Sequence, residues 1–308
     1  MIVFLITLLS LAMSLIIMNE FYYWVVLYDT QEHHIMRGRN KTNLEWISFG
    51  SSYCRFGILP EEPGKGFNFG VAAQFFYYSD KMLREYTPRC LKKGGTVYLI
   101  IADLVFAEVG KYMYGADRYQ ELLNRKSLGD EFSVRKKLRL RFPLLINPLL
   151  TRRILAYLLK GRRNDFSTLD QNPITLVQAH KEAEKRCSDW CEQFGLIDTR
   201  STKISPKLEQ KFEKTRNILT GMIEFCLENG YKPVLVVTPV SEVMREHLGK
   251  EFLQRVLFDN IDLANLQNVP FRNFIDDPEF ADFSLYHKNA DMLNARGRKM
   301  FTNKLLAL

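Results

Sequence analysis

The chain has 308 residues, 46% of them hydrophobic and 25% charged, a balance that excludes a mostly disordered chain, a collagen-like chain and a small disulfide scaffold. Lysine and arginine number 43 against 35 aspartates and glutamates, a net charge of +8. That excess favours anionic partners, from phosphate polymers and acidic glycans to lipid headgroups and nucleic acid, without choosing among them.

The first element decides the compartment. Ile2 to Met18 is apolar except for Thr7, Ser10 and Ser14. The eighteen residues Met1 to Met18, as a helix, span about 27 Å, close to a bilayer core. Phe21, Tyr22, Tyr23 and Trp24 follow, the aromatic cluster expected at a membrane interface. A buried helix and a signal peptide are the alternatives. A signal peptide carries a basic leading region and a small-residue cleavage site, whereas the first basic residue here is Arg37 and no clear Ala-x-Ala site follows the apolar run. Residues 1–28 therefore read as an uncleaved membrane anchor with its interface segment. Arg37, Arg39 and Lys41 lie beyond the span, and on charge alone that side faces the cytoplasm.

Residues 40–308 read as an α/β domain with a mostly parallel sheet. Buried strands are predicted at 43–49, 66–71, 96–102, 232–238 and 269–275, from apolar and β-branched runs closed by turn residues. Helices are predicted at 74–86, 185–194, 208–229, 243–257 and 293–306. The five cysteines, Cys54, Cys90, Cys187, Cys191 and Cys226, form no paired framework and read as free thiols, mostly in the core. Cys187 and Cys191 share a helix face, but two further zinc ligands are not at hand; neither a metal nor a cofactor is expected.

One stretch breaks the alternation. A basic helical insertion is expected at about 105–170. Within it, Arg135 to Arg163 carries ten basic residues and no acidic one, more than the whole excess of the chain. It also carries Phe142, Leu144, Leu145, Ile146, Leu149, Leu150, Ile154, Leu155, Tyr157, Leu158 and Leu159. This mixture suits either an interfacial segment on anionic lipid or a helical cap with a solvated basic face. No nucleic-acid fold signature accompanies the patch, and nucleic acid is not an expected partner.

Three clusters carry possible chemistry. Phe49-Gly50-Ser51-Ser52 ends the first strand, where sites form in parallel sheets. Asn68-Phe69-Gly70 with Gln74 ends the second; a glycine there lets a backbone N–H approach a substrate oxygen, and Asn can add a side-chain donor. The third runs from Asp282 through His287, Asn289, Asp291, Met292, Leu293 and Asn294 to Gly297, Phe301 and Thr302. A turn or a helix cap is the simpler reading of the first two taken singly.

Together with Val236-Val237-Thr238-Pro239, these motifs in this order resemble the SGNH/GDSL hydrolase superfamily, over roughly residues 44–305 and loosely across 105–230. The nearest branch resembles membrane-anchored, polysaccharide-associated members, including relatives of the D-alanyl-lipoteichoic-acid transfer protein. The resemblance implies a flavodoxin-like three-layer α/β/α fold. It implies serine-based acyl transfer or ester hydrolysis on cell-envelope polysaccharide, outside the cytoplasm. By position Ser52 matches the nucleophile, and Gly70 with Asn68 the oxyanion donors.

The sequence departs from that pattern where the base should be. The family's Asp-x-x-His falls on Asn289 and Met292, and Met cannot take a proton from serine. The Asn of the third block is replaced by Ile101-Ala102-Asp103. His287, flanked by Asp282 and Asp291, is the candidate for a shifted Ser52–His287–Asp291 arrangement. Two readings follow: an acyltransferase or esterase acting on a glycan or acyl-ester substrate, and an inactive module that binds glycan or a membrane-bound acyltransferase partner. A third has the basic insertion acting on membrane lipid.

Overall fold

The computed structural model describes residues 1–62, 65–107, 115–161, 175–287 and 291–307. The chain forms two compact units: Met1–Arg37 with Gly115–Ser167, and Gly38–Tyr114 with Thr168–Leu308.

The second unit is α/β. Its sheet contains β1 (Leu44–Phe49), β2 (Glu61–Glu62), β3 (Gly66–Asn68), β4 (Leu91–Ile101), β5 (Lys232–Val237) and β6 (Phe271–Asn273), in the order β2-β3-β1-β4-β5-β6. The last five in that row pair in parallel throughout, with Ser48 opposite Asn68 and Tyr98, Ile101 opposite Val237, and Val237 opposite Asn273. The two-residue β2 is the exception, antiparallel to β3 at the edge. Trp46, Ile47, Ser48 and Phe49 are all buried, the unbroken pattern of a strand covered on both faces. Phe69 joins strand to helix: its ring lies 5.5 Å from Phe49, 4.7 Å from Phe67 and 5.0 Å from Tyr86.

All five predicted strands form, with shifted ends. β4 begins five residues early, while β3 and β6 pair over only three residues each. The helix predicted at 74–86 runs Phe76–Cys90, with Pro88 in its last turn, where the ring removes one intrahelical N–H donor close to the helix end. The helix predicted at 185–194 begins nine residues earlier, at Leu176, behind a capping box of Thr175 and Gln178. The single helix predicted at 243–257 is instead broken. Glu242–His247 ends at an extended Leu248, and Lys250–Leu253 restarts from Gly249. The loop at 199–200 causes the break: Thr199 Oγ1 donates to His247 O, Gly249 N–H donates to Thr199 O, and Arg200 leaves no room for a Cβ on Gly249 without a shift. The cysteines are free, four of them buried and Cys191 half-buried.

The first unit holds one helix, Ile2–Val26 with a wider last turn, that is long and apolar enough to span a membrane. Every side chain from Met1 to Met18 is exposed, as in a helix whose surroundings are apolar on all sides. The aromatic cluster divides: Trp24 is half exposed, whereas Tyr22 and Tyr23 are buried. Tyr23 Oη donates to Glu121 at 2.8 Å, and the Arg141 guanidinium lies over its ring at 4.4 Å. The basic insertion thus packs with the N-terminal helix in one unit. Its described helices are short, the longest being Thr151–Lys160 and Val134–Arg141. Residues 108–114 and 162–170 of the expected insertion, including Arg162 and Arg163, lie outside the described residues.

Candidate functional site

β1 has β3 on one side and β4 on the other, so the chain leaves it in opposite directions. Crevices in open parallel sheets form outside the carboxyl ends of strands at such a point. Here β1 runs out into Gly50-Ser51 and the helix Ser52–Gly57, and β4 into Ala102-Asp103. A cavity of about 320 Å³ opens between them. Ser51, Ser52, Ala102, Asp103 and Met292 line it, with Phe56, Phe75 and a wall from the helix Leu176–Phe194 that contributes Arg186, Trp190, Gln193 and Phe194.

The glycines of the two strand-end motifs are there because the backbone is crowded. A Cβ on Gly50 would lie 2.8 Å from Ile100 O, and one on Gly70 would lie 2.7 Å from Arg55 N and from Cys54 Sγ. Both strand ends therefore press on the start of the Ser52 helix and fix where Ser52 stands. Asn68 completes the clamp. Its Nδ2 donates to Cys54 O and Ile58 O at 2.8 and 3.0 Å, and its Oδ1 accepts from Gly70 N–H at 2.8 Å and from Ser48 Oγ at 3.2 Å. The donors of Asn68 and the N–H of Gly70 are thus engaged inside the protein. Cys54, two residues after Ser52, is fully buried. Burial pushes its thiol up to about 12, and it remains an unreactive thiol at neutral pH.

Ser52 is half-buried, and its hydroxyl has no hydrogen-bond partner among the described residues. Met292 shares its cavity; among the described residues no histidine lines it. His287 is buried, and its backbone N–H donates to Met292 O at 2.7 Å, beside a Tyr286–Leu293 bridge that closes the loop. The hydrogen bonds of the Asp291 carboxylate go to Tyr53 and Arg186. Asn289 lies outside the described residues. His180, on the wall helix Leu176–Phe194, and His247 stand ring to ring at 6.0 Å and neither lines the cavity, and His33 and His34 belong to the first unit.

What the fold assembles beside Ser52 is a buried polar chain. Tyr53 Oη lies 3.1 Å from Asp103 Oδ2 and 3.1 Å from Asp291 Oδ2, and Arg186 Nε donates to Asp291 Oδ2 at 3.0 Å. Leu104 N–H donates to Asp103 Oδ1 at 2.9 Å. Asp103, Asp291 and Tyr53 are all buried. A phenol carries one proton and cannot donate to two carboxylates at once. Two buried carboxylates beside one guanidinium also leave an uncompensated negative charge. Both problems are solved if one carboxyl keeps its proton. Burial, with the nearby Asp291 charge, raises Asp103 to about 7. The consistent arrangement is a protonated Asp103 donating to Tyr53, Tyr53 donating to Asp291, and Asp291 paired with Arg186. Burial and the two carboxylates hold the Tyr53 phenol well above its ordinary range, so it stays neutral.

Sequence reasoning noted Asp103 only as a replacement for Asn, assigned Asp291 to histidine, and passed over Tyr53, Arg186 and Trp190. The last pair carried a signal: an Arg and a Trp four apart share a helix face, and the guanidinium lies 4.9 Å from the Trp190 ring centre. No protein-family model matches the chain, and no curated protein matches it.

Proposed function

We propose that the protein is a membrane-anchored, SGNH-like module that binds a glycan of the cell envelope in the Ser52 cavity without serine catalysis. The observation that carries this reading is the composition of the cavity: an unpartnered Ser52 beside Met292, with no imidazole among the described lining residues. Serine without an adjacent base is a poor nucleophile. The remaining walls suit recognition. Trp190, Phe56, Phe75 and Phe194 offer flat apolar faces, while Arg186, Gln193, Asp103 and the serines offer directional polar groups, the mixture that small-ligand pockets use.

The fold assignment rests on strand order. Counted among the parallel strands alone, the row is 2-1-3-4-5, the order of flavodoxin-like sheets, which supports a three-layer arrangement. The apolar Ile2–Val26 helix supports a single-pass anchor, with the sheet unit outside the cytoplasm as in the envelope proteins it resembles. The partners in this reading are envelope polysaccharide, membrane lipid and a membrane-bound acyltransferase that uses the module.

A second reading keeps an esterase or acyltransferase. One observation favours it: Asp103, which lines the same cavity as Ser52, is held at about 7, in the range of a working general base. Calorimetric titration of the full chain in detergent with envelope-polysaccharide fragments tests the leading reading. Saturable binding is expected, weakened about tenfold by Trp190→Ala through the lost aromatic contact and less by Ser52→Ala, which removes a single hydroxyl. Absence of binding, or indifference to Trp190→Ala, would sink it.

A further inference from the structure

The basic insertion is tied to the end of the apolar helix. Asn19 Nδ2 donates to Arg141 O at 3.2 Å, and Leu144 N–H donates to Asn19 Oδ1 at 3.3 Å. Arg141 pairs with Glu20 at 2.6 Å, and the Phe21 and Tyr157 rings meet edge-on at 6.0 Å. Asn19 is wholly buried, whereas Met1–Met18 are exposed. The attachment therefore sits where the apolar stretch stops, which in a bilayer is the headgroup boundary.

The surface that this attachment presents is both greasy and cationic. Leu149, Leu158 and Leu159 are 67%, 66% and 74% exposed, far more apolar surface than a soluble face carries without reason. The helices Val134–Arg141 and Thr151–Lys160 also carry Arg135, Arg139, Arg152 and Lys160, none with an ion-pair or hydrogen-bond partner among the described residues. The basic residues that are paired, Lys136 with Asp117 and Arg141 with Glu20, hold the insertion together. An open groove of about 700 Å³ runs between the helices Val134–Arg141 and Pro143–Ile146, lined by Val134, Arg135, Leu138, Arg139 and Ile146. Arg135 and Arg139 are four apart on one helix and so share a face. The groove thus puts two unpaired guanidinium groups at the edge of an apolar trough, the chemistry that fits a phosphate with an acyl chain beside it.

We propose that Val134–Lys160 is a docking shelf that lies on an anionic leaflet, with a phospholipid phosphate seated between Arg135 and Arg139 and its acyl chain against Leu138 and Ile146. The occupant is membrane lipid, since the shelf is fastened at the point where the apolar helix leaves its apolar surroundings. The inference rests on the membrane-anchor reading. A shelf of this kind fixes the tilt of the anchor and holds the insertion flat against the leaflet, with the unpaired cations on the lipid phosphates.

Hydrogen exchange on the full chain in lipid nanodiscs tests it. Discs of phosphatidylcholine alone are compared with discs containing phosphatidylglycerol, for the wild type and for a variant in which Arg135, Arg139, Arg152 and Lys160 are all changed to Glu. Each cation at an anionic surface contributes roughly a fivefold bias toward docking. Peptides covering 143–160 should therefore exchange at least about tenfold more slowly in anionic discs, and the charge-reversed variant should lose that protection while β4 and β5 keep theirs. Equal exchange of 143–160 in the two lipids, fast or slow, would overturn the shelf. Alkaline carbonate treatment of membranes carrying the full chain separates the two ideas: release of the wild type would remove the anchor and the shelf together, whereas retention with equal exchange would remove the shelf alone.

Discussion

Replacing Asp103 by Asn keeps the shape of the buried polar chain and removes its titration. The Asn amide can donate to Tyr53 as the protonated carboxyl does, and its oxygen can still accept from Leu104 N–H. An unfolded aspartate titrates near 3.9, whereas Asp103 in the folded chain titrates at about 7. Between those values the unfolded chain has released the proton that the folded chain retains. The contribution of Asp103 to stability therefore falls as pH rises through that window, by about 1.4 kcal/mol per pH unit. It is flat below about 4 and flat again above about 7, with a ceiling near 4 kcal/mol for the whole window. The Asn variant carries no such slope. It should match the wild type near pH 4 and exceed it by a few kcal/mol near pH 8. Urea unfolding of the full chain in non-ionic detergent, followed through Trp46 and Trp190 fluorescence at a series of pH values, reads this directly. Wild-type and Asp103→Asn curves that run parallel across the window would refute the assignment of the proton to Asp103.

Other consequences follow from the same contacts. Arg186→Met leaves Asp291 buried without its partner and should cost about 3–5 kcal/mol near neutral pH, and Asp291→Asn in the same chain should recover most of it; urea midpoints decide. Gly70→Ala forces a Cβ to within 2.7 Å of Arg55 N and Cys54 Sγ and should destabilise by about 1–3 kcal/mol, read as a lowered thermal midpoint. Asn68→Ala strands several buried groups, among them Gly70 N–H and Ile58 O, at about 3 kcal/mol or more; an unchanged unfolding midpoint would contradict the clamp around the Ser52 helix.

The sheet was readable because its strands announce themselves locally. Val97 to Ile101 and Pro233 to Val237 are unbroken apolar runs, and such runs pair in parallel when both faces are covered. The ends were not readable, since pairing depends on neighbours: β6 is only as long as the stretch of β5 it meets. The broken helix at Leu248–Gly249 depends on a loop some fifty residues away, and no periodicity inside 243–257 records it. The site divides the same way. Gly50, Ser52 and Gly70 stand where strand-end motifs place them, because crowding at a strand end is a local property. The Tyr53–Asp103–Asp291–Arg186 chain unites residues up to 238 positions apart, and only the folded topology brings a carboxyl from the turn after β4, one from the C-terminal loop and a guanidinium from a middle helix to one phenol. The basic stretch at 135–163 was visible as charge and apolar content. Its attachment to Asn19 and Glu20 was not, since nothing in either segment specifies the other.

The central claim is that Ser52 lines a ligand cavity without being an activated nucleophile. The most direct test is intact-mass analysis of the folded full chain after exposure to a fluorophosphonate probe, with Ser52→Ala alongside. The account predicts no adduct on either protein. An adduct on the wild type that maps to Ser52 and disappears in Ser52→Ala would contradict it and restore the serine acyl-transfer reading.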